Sequence, residues 1–160
     1  MFISYSKMMK KIAFYIFNHG FGHAARNIPI IEGLLQLDKN LDIVIRTGSN
    51  LINFMRQSLN KYTSRIGYHP MNTDVGLILK PGTMEIDREA LLKEVKEFIS
   101  KWEHLIGQEK EWIAQNQIYL VVSDIVPWVF KSTRLSGVKS VFISNFTWVE
   151  IYKCLLQNNE

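Results

Sequence analysis

The sequence predicts one α/β domain in which a parallel sheet is covered by helices on both faces. Strand-length apolar runs alternate with segments of helical period along most of the chain. The runs IAFYIF, DIVIRT, IYLVVS and SVFIS lack strict polar alternation, as strands buried on both faces do. A polar loop with two glycines, Asn18 to Arg26, follows the first run and opens an amphipathic helix. At 160 residues the chain can build one substantial core, and the alternation makes a doubly wound, Rossmann-like sheet the expected architecture.

Residues 1–9 read as an N-terminal extension, with Met8 or Met9 as the expected functional start. Lys10-Lys11 before an apolar run mimics a secretory leader, but the run is too short and breaks at Asn18 and His19. The first strand is expected over Ile12 to Asn18. The first helix follows from near His23 to Leu37, with Ile28, Ile31, Leu34 and Leu35 as its inner stripe and Asp38-Lys39-Asn40 as its polar exit. Leu41 to Thr47 is the second strand, and the stretch around Tyr62 to His69 the third. Met71 to Ile86, with Asp74, Gly76, Pro81 and Gly82, is the longest loop, and loops of that length in compact domains are often functional. A long helix from near Asp87 then repeats apolar residues at Leu91, Val95, Phe98, Trp102, Leu105, Trp112 and Ile113, with Gly107 expected to kink or split it. Trp102 and Trp112 continue this stripe and read as core anchors. Strands at Ile118 to Ser123 and Lys139 to Ser144 follow, then a helix over Thr147 to Leu156 and a polar tail, residues 157–160. The domain proper is thus expected over residues 10–156.

The formal net charge is +4, but the lysines are scattered and no stacking-aromatic RNA motif accompanies them, so nucleic acid is not an expected partner. No run approaches the ~18–20 apolar residues that would cross a bilayer. The single cysteine, Cys154, excludes an internal disulfide framework and suits a reducing, cytoplasmic setting; it is expected to be a buried or half-buried thiol. His69 and His104 lack ligand partners at metal spacing, and no C-x-x-C or helical H-x-x-x-H pair is present, so no metal site is expected.

In a doubly wound sheet the first and fourth strands lie side by side, and ligands bind in the crevice at their carboxyl ends. Three polar loops meet there: Asn18 to His23, Ser123 to Trp128, and Ser144 to Trp148. Gly20 and Gly22 allow a sharp turn and leave amide N–H groups free at a helix N-terminus, where an anion is favoured. Formally, Gly20 to Ala25 also fits G-x-G-x-x-A, a dinucleotide fingerprint. The second strand ends in Arg46-Thr47-Gly48 instead of an acidic residue, so that reading survives only for NADP, with Arg46 on the 2′-phosphate.

Four motifs together carry a resemblance: NHGFGHAAR after the first strand, TDVG at Thr73 to Gly76, VVSDIVPWVF at Val121 to Phe130, and SVFISNFTWVEIY at Ser140 to Tyr152. In this order, and covering most of Lys11 to Tyr152, they resemble the N-terminal half of GT-B glycosyltransferases. The nearest group is the glycosyltransferase-like proteins that include the N-terminal region of plant L-arabinokinase; MurG and the UDP-glucuronosyltransferases are more distant. The resemblance implies one half of a GT-B fold, holding the acceptor, with the nucleotide-sugar donor on a second Rossmann-like domain. Nothing in this chain resembles that second half or a kinase domain. Little or no transfer is therefore expected without a donor-binding partner chain, and no tightly bound cofactor is expected. The exposed face normally covered by a donor half is also expected to favour a homodimer.

Glycosyl transfer needs a base for the acceptor hydroxyl and dipolar or positive groups for the departing diphosphate. His23 is the favoured base, His19 the alternative, and Asp124 the group that would orient it; the plain reading of Asp124 is a cap on the helix near Pro127. Arg26 is expected to reach an anionic acceptor or the diphosphate, or else to form a surface ion pair. Gly20, Phe21 and Gly22 form the ligand loop. Asn145 and Thr147 offer contacts to a sugar or glycan acceptor, and Phe146 and Trp148 offer stacking faces unless they pack on the sheet. Asp74 is a further acceptor contact or a solvent-facing turn residue. A non-catalytic sugar-binding or regulatory module is the rival function, and an NADP-dependent oxidoreductase the third.

Overall fold

The computed structural model describes residues 9–156; most of the expected N-terminal extension and the polar tail 157–160 lie outside the described residues. Five parallel strands, β1 (Lys10–Ile16), β2 (Leu41–Thr47), β3 (Ile66–Pro70), β4 (Leu120–Asp124) and β5 (Lys139–Ile143), are ordered β3-β2-β1-β4-β5. This is the doubly wound order, with the switch point between β1 and β4. There Ile16 is in register with Asp124, so the carboxyl ends of the two strands finish together.

Six helices accompany the sheet: α1 (Phe21–Leu37), α2 (Ser49–Ser58), α3 (Arg88–Ser100), α4 (Trp102–Gln115), α5 (Val129–Ser136) and α6 (Trp148–Leu156). Strand periodicity divides the core between the two faces. Phe14, Ile16, Ile43 and Ile45 pack with Ala24, Ile31 and Leu35 of α1 and Leu51 and Met55 of α2. Ala13, Tyr15, Val44 and Val121 pack with Ile106 and Ile113 of α4 and with Trp128 and Val129 at the start of α5. A smaller group, Phe17, Ile125 and Trp148, lies at the carboxyl edge under α6. No helix among the described residues is long and apolar enough to cross a membrane.

Several expectations are corrected. The long helical segment breaks at Lys101, whose N–H returns to Phe98, and not at Gly107, which lies inside α4 with open space around it. Tyr62 to Arg65 belongs to a 3-10 turn, Asn60–Arg65, instead of to the third strand. Trp102 and Trp112 are partly buried against the α4-side core, as the stripe implied. Strand β5 is not covered on both faces: Ser140, Val141 and Phe142 are exposed, because it is the outer strand. Cys154 is exposed instead of buried, on the solvent side of α6.

Candidate functional site

Residue Phe17 continues β1 past its last paired residue, its N–H bonding the carbonyl of Asp124 at 3.1 Å. The chain then turns through Gly20, whose φ of 88° is a left-handed conformation that side chains resist, and enters α1 at Phe21. Gly22 does not share that duty: it is an ordinary first-turn helical residue with free space where a Cβ would lie. No side chain caps α1 and no acidic residue lies in its first turn.

On the opposite strand, Asp124 ends β4 and is fully buried. The next residue, Ile125, has φ 60°, a strained value for a β-branched side chain. Ser123 Oγ ties this turn by accepting from Val126 N–H and donating to its carbonyl. The Asp124 carboxylate faces α1 and accepts from four groups: His23 Nδ1 at 2.9 Å, Arg26 Nη2 at 2.5 Å, Arg26 Nε at 3.2 Å and Asn27 Nδ2 at 2.6 Å. Capping is therefore not its role; α5 begins without any side-chain cap. A buried carboxylate needs such a cage of donors to remain charged.

With Nδ1 donating to Asp124, the lone pair of His23 lies on Nε2, which makes no hydrogen bond within the described residues. The imidazole stands between the edges of Phe17 and Phe146, whose ring centroids are 5.0 and 6.1 Å away. An imidazole whose Nδ1 is held by a buried carboxylate, with the other nitrogen open, has the geometry of a general base.

Arg26 is neither a free anion clamp nor a surface ion pair. Its guanidinium is committed to Asp124 and, through Nη1, to Asn145 Oδ1 at 3.0 Å, which draws the loop after β5 toward α1. Thr147 starts α6: its N–H and hydroxyl donate to Glu150 Oε2 at 2.9 and 3.1 Å. Trp148 is buried on Phe17 and stacks on Tyr152. Phe21 is exposed, its ring edge on Phe54.

His19 takes a separate place. Its Nε2 lies 3.0 Å from the carbonyl oxygen of Asp74, and its ring covers Gly76, where a Cβ would fall 2.6 Å from the imidazole. Asn18 pins the same loop: its Oδ1 accepts from Thr73 Oγ1 and Asp74 N–H, and its Nδ2 donates to Asn72. Trp128 Nε1 adds a bond to the Thr73 carbonyl. Asp74 is thus buried, against the solvent-facing alternative, and desolvation raises its carboxyl to about 6. The unfolded chain releases that proton near the ordinary value of 3.8, so the native state binds the extra proton between the two. Stability is therefore expected to fall as pH rises from about 4 to about 6, by on the order of 2–3 kcal/mol. Urea melts across that window check it: Asp74→Asn is expected to flatten the slope, and an unchanged slope would rule Asp74 out as its source.

Arg46 is not available for a 2′-phosphate. It faces α4, with its Nη2 2.6 Å from the Glu109 carboxylate and its guanidinium 4.2 Å over the ring of Trp112. This removes the one feature that kept an NADP site open. Among the described residues no group of three or more His, Cys, Asp or Glu is placed to hold a metal.

Sequence reasoning brought His23, Asp124, Arg26 and Asn145 to one site but passed over Asn27 and Asn18. Asn27 had a signal, since a lone amide falls on the buried stripe Ala24, Asn27, Ile31, Leu35 of α1. Asn18 had none, because its partners come from a loop more than fifty residues away.

No family model matches the chain. It is similar to L-arabinokinase of Arabidopsis thaliana, 28% identical over 151 residues, an alignment covering 94% of this chain and 14% of that protein. Its fold is similar to Medicago truncatula UGT71G1 complexed with UDP-glucose, with 20% identity, a TM-score of 0.58, and coverage of 94% of this chain and 32% of that one. Acinetobacter baumannii MurG gives 11% identity and a TM-score of 0.53, over 84% of this chain and 35% of that one. The chain therefore spans a small part of its curated relative and about a third of these glycosyltransferase structures. The Rossmann-like half of a GT-B fold, implied by the motifs, is the fold observed.

Proposed function

We propose that this chain is the acceptor-binding half of a GT-B glycosyltransferase, with His23 as the general base and Asp124 as the residue that orients it. The observation that carries this reading is the 2.9 Å contact between His23 Nδ1 and a fully buried Asp124 at the switch point, with Nε2 left open. An acceptor hydroxyl would give its proton to Nε2 while its oxygen bonds to the anomeric carbon of a nucleotide sugar, and the bond from that carbon to the diphosphate breaks to release the nucleoside diphosphate. Asp124 would steady the imidazolium that forms. Arg26 serves this arrangement indirectly, by balancing the Asp124 charge and fixing Asn145.

The donor sugar, and the groups that steady its diphosphate, belong in this reading to a second domain or partner chain, because reaction requires both substrates held in one cleft. The free thiol of Cys154 fits a reducing, cytoplasmic setting.

In a transfer assay reconstituted with a donor-binding half, His23→Ala is expected to lower transfer about 10²–10⁴-fold, the usual range for a general base. Undiminished transfer would remove His23 from the catalytic role. Titration of the isolated chain with UDP-, GDP- and TDP-sugars and NADPH is expected to show weak or no binding; tight NADPH binding would overturn the assignment.

A further inference from the structure

Beside His19 lies a cavity of about 360 Å³, between the loop after β3 and α3. Its lining includes His19, Asn72, Asp74, Val75, Ile78 and Glu94, and no Lys or Arg. One oxygen of Asp74 accepts from Val75 N–H at 2.7 Å, and the other, which is not sealed from solvent, has no hydrogen-bond partner among the described residues.

Asn72 Oδ1 is engaged by Asn18, which leaves the Asn72 amide N–H₂ as a donor. The donors and acceptors here thus suit hydroxyl groups, which can donate to Asp74 and Glu94 and accept from Asn72. An anionic group would sit against two carboxylates. The cavity opens beside the same loop that carries the proposed base: His19 lines it, and the rings of His19 and His23 lie 5.2 and 5.0 Å from the ring of Phe17.

We infer that this cavity is the acceptor pocket, and that it takes a neutral, polyhydroxylated acceptor of monosaccharide size and rejects anionic ones. The inference rests on the transferase reading above and adds the class of substrate. A wider open groove lined by Lys93 and Lys96 shares Ala90 with it, along α3.

Amide-resolved NMR titration of the chain tests this, with a neutral methyl hexoside, a methyl pentoside, glucuronate and glucose 6-phosphate as probes. The neutral glycosides are expected to shift the amides of Asn72 to Ile78 and of Glu94. The anionic probes are expected to bind at least about tenfold more weakly, the discrimination that misplaced like charge produces. Asp74→Asn is expected to weaken neutral-sugar binding about tenfold through the lost charge-assisted hydrogen bond, and Glu94→Gln, on the exposed face of α3, to narrow the discrimination against glucuronate. Anionic probes binding as tightly as neutral ones in the cavity would overturn the inference. So would shifts confined to His23, Asn145 and Phe146, an outcome that leaves the transferase reading standing. No response at any residue, or displacement of the sugars by NADPH, would remove both.

Discussion

Asp124→Ala is expected to destabilise the domain by about 3–5 kcal/mol, the cost of removing one partner of a buried charge pair. Asp124 is fully buried and accepts from His23, from Nε and Nη2 of Arg26, and from Asn27. Without it, the Arg26 guanidinium keeps only Asn145 and an uneasy 3.1 Å approach to His23 Nδ1. Arg26 is 30% exposed and can partly recover water, which places the loss toward the lower end of that range. Asp124→Asn keeps the shape but offers a single carbonyl oxygen where two carboxylate oxygens served, and is expected to lose less stability than alanine while transfer still collapses with the His23 tautomer. Urea denaturation beside the reconstituted transfer assay separates the two effects. A variant within 0.5 kcal/mol of the parent, a margin typical of surface substitutions, would mean that the cage does not hold the charge as described.

Arg46→Met should be comparably severe, for a reason unrelated to the site. Glu109 lies on the buried face of α4, held by Arg46 and by the hydroxyl of Tyr15 at 2.6 Å. Burial, and then the Glu109 charge, push the Tyr15 hydroxyl well above its ordinary ionisation range, so it remains a donor at every relevant pH. Removing Arg46 strands the carboxylate in the α4-side core and is expected to cost about 3–5 kcal/mol. The double change Arg46→Met, Glu109→Leu is expected to restore most of that loss, since an apolar pair of similar volume replaces two desolvated charges. Additive losses in the double-mutant cycle would show that the two residues act independently.

The contrast between these two arginines explains much of what could be read in advance. Both stood in the sequence as candidates for an anion, Arg26 for a diphosphate and Arg46 for a 2′-phosphate. Residue type made them eligible, but neither spacing nor periodicity indicated that each faces a buried carboxylate, 98 and 63 residues away. The solvent-facing alternative for Asp74 failed in the same way. Aspartate in a long Gly-containing loop is ordinarily a solvated turn residue. Here Asn18, His19 and Trp128 tie the loop to β1 and α5, and the tie buries it.

Boundaries failed where local signals compete. Gly107 looked like a helix breaker, yet an exposed helical glycine is only modestly unfavourable, and α4 runs through it. Strand β5 read as doubly covered because its composition matches β4, but composition does not tell an outer strand from an inner one.

The sequence by itself determined the alternation of elements and, with the usual doubly wound order assumed, the meeting of three polar loops at the carboxyl edge, because apolar periodicity and the handedness of parallel crossovers leave few other solutions. Only the tertiary structure decided which polar groups pair within that edge. His23 and Asp124 are 101 residues apart, and Ile125 must adopt a strained turn after the carboxylate that meets them. Pairing of this kind depends on ångström distances between distant segments, which local patterning does not encode.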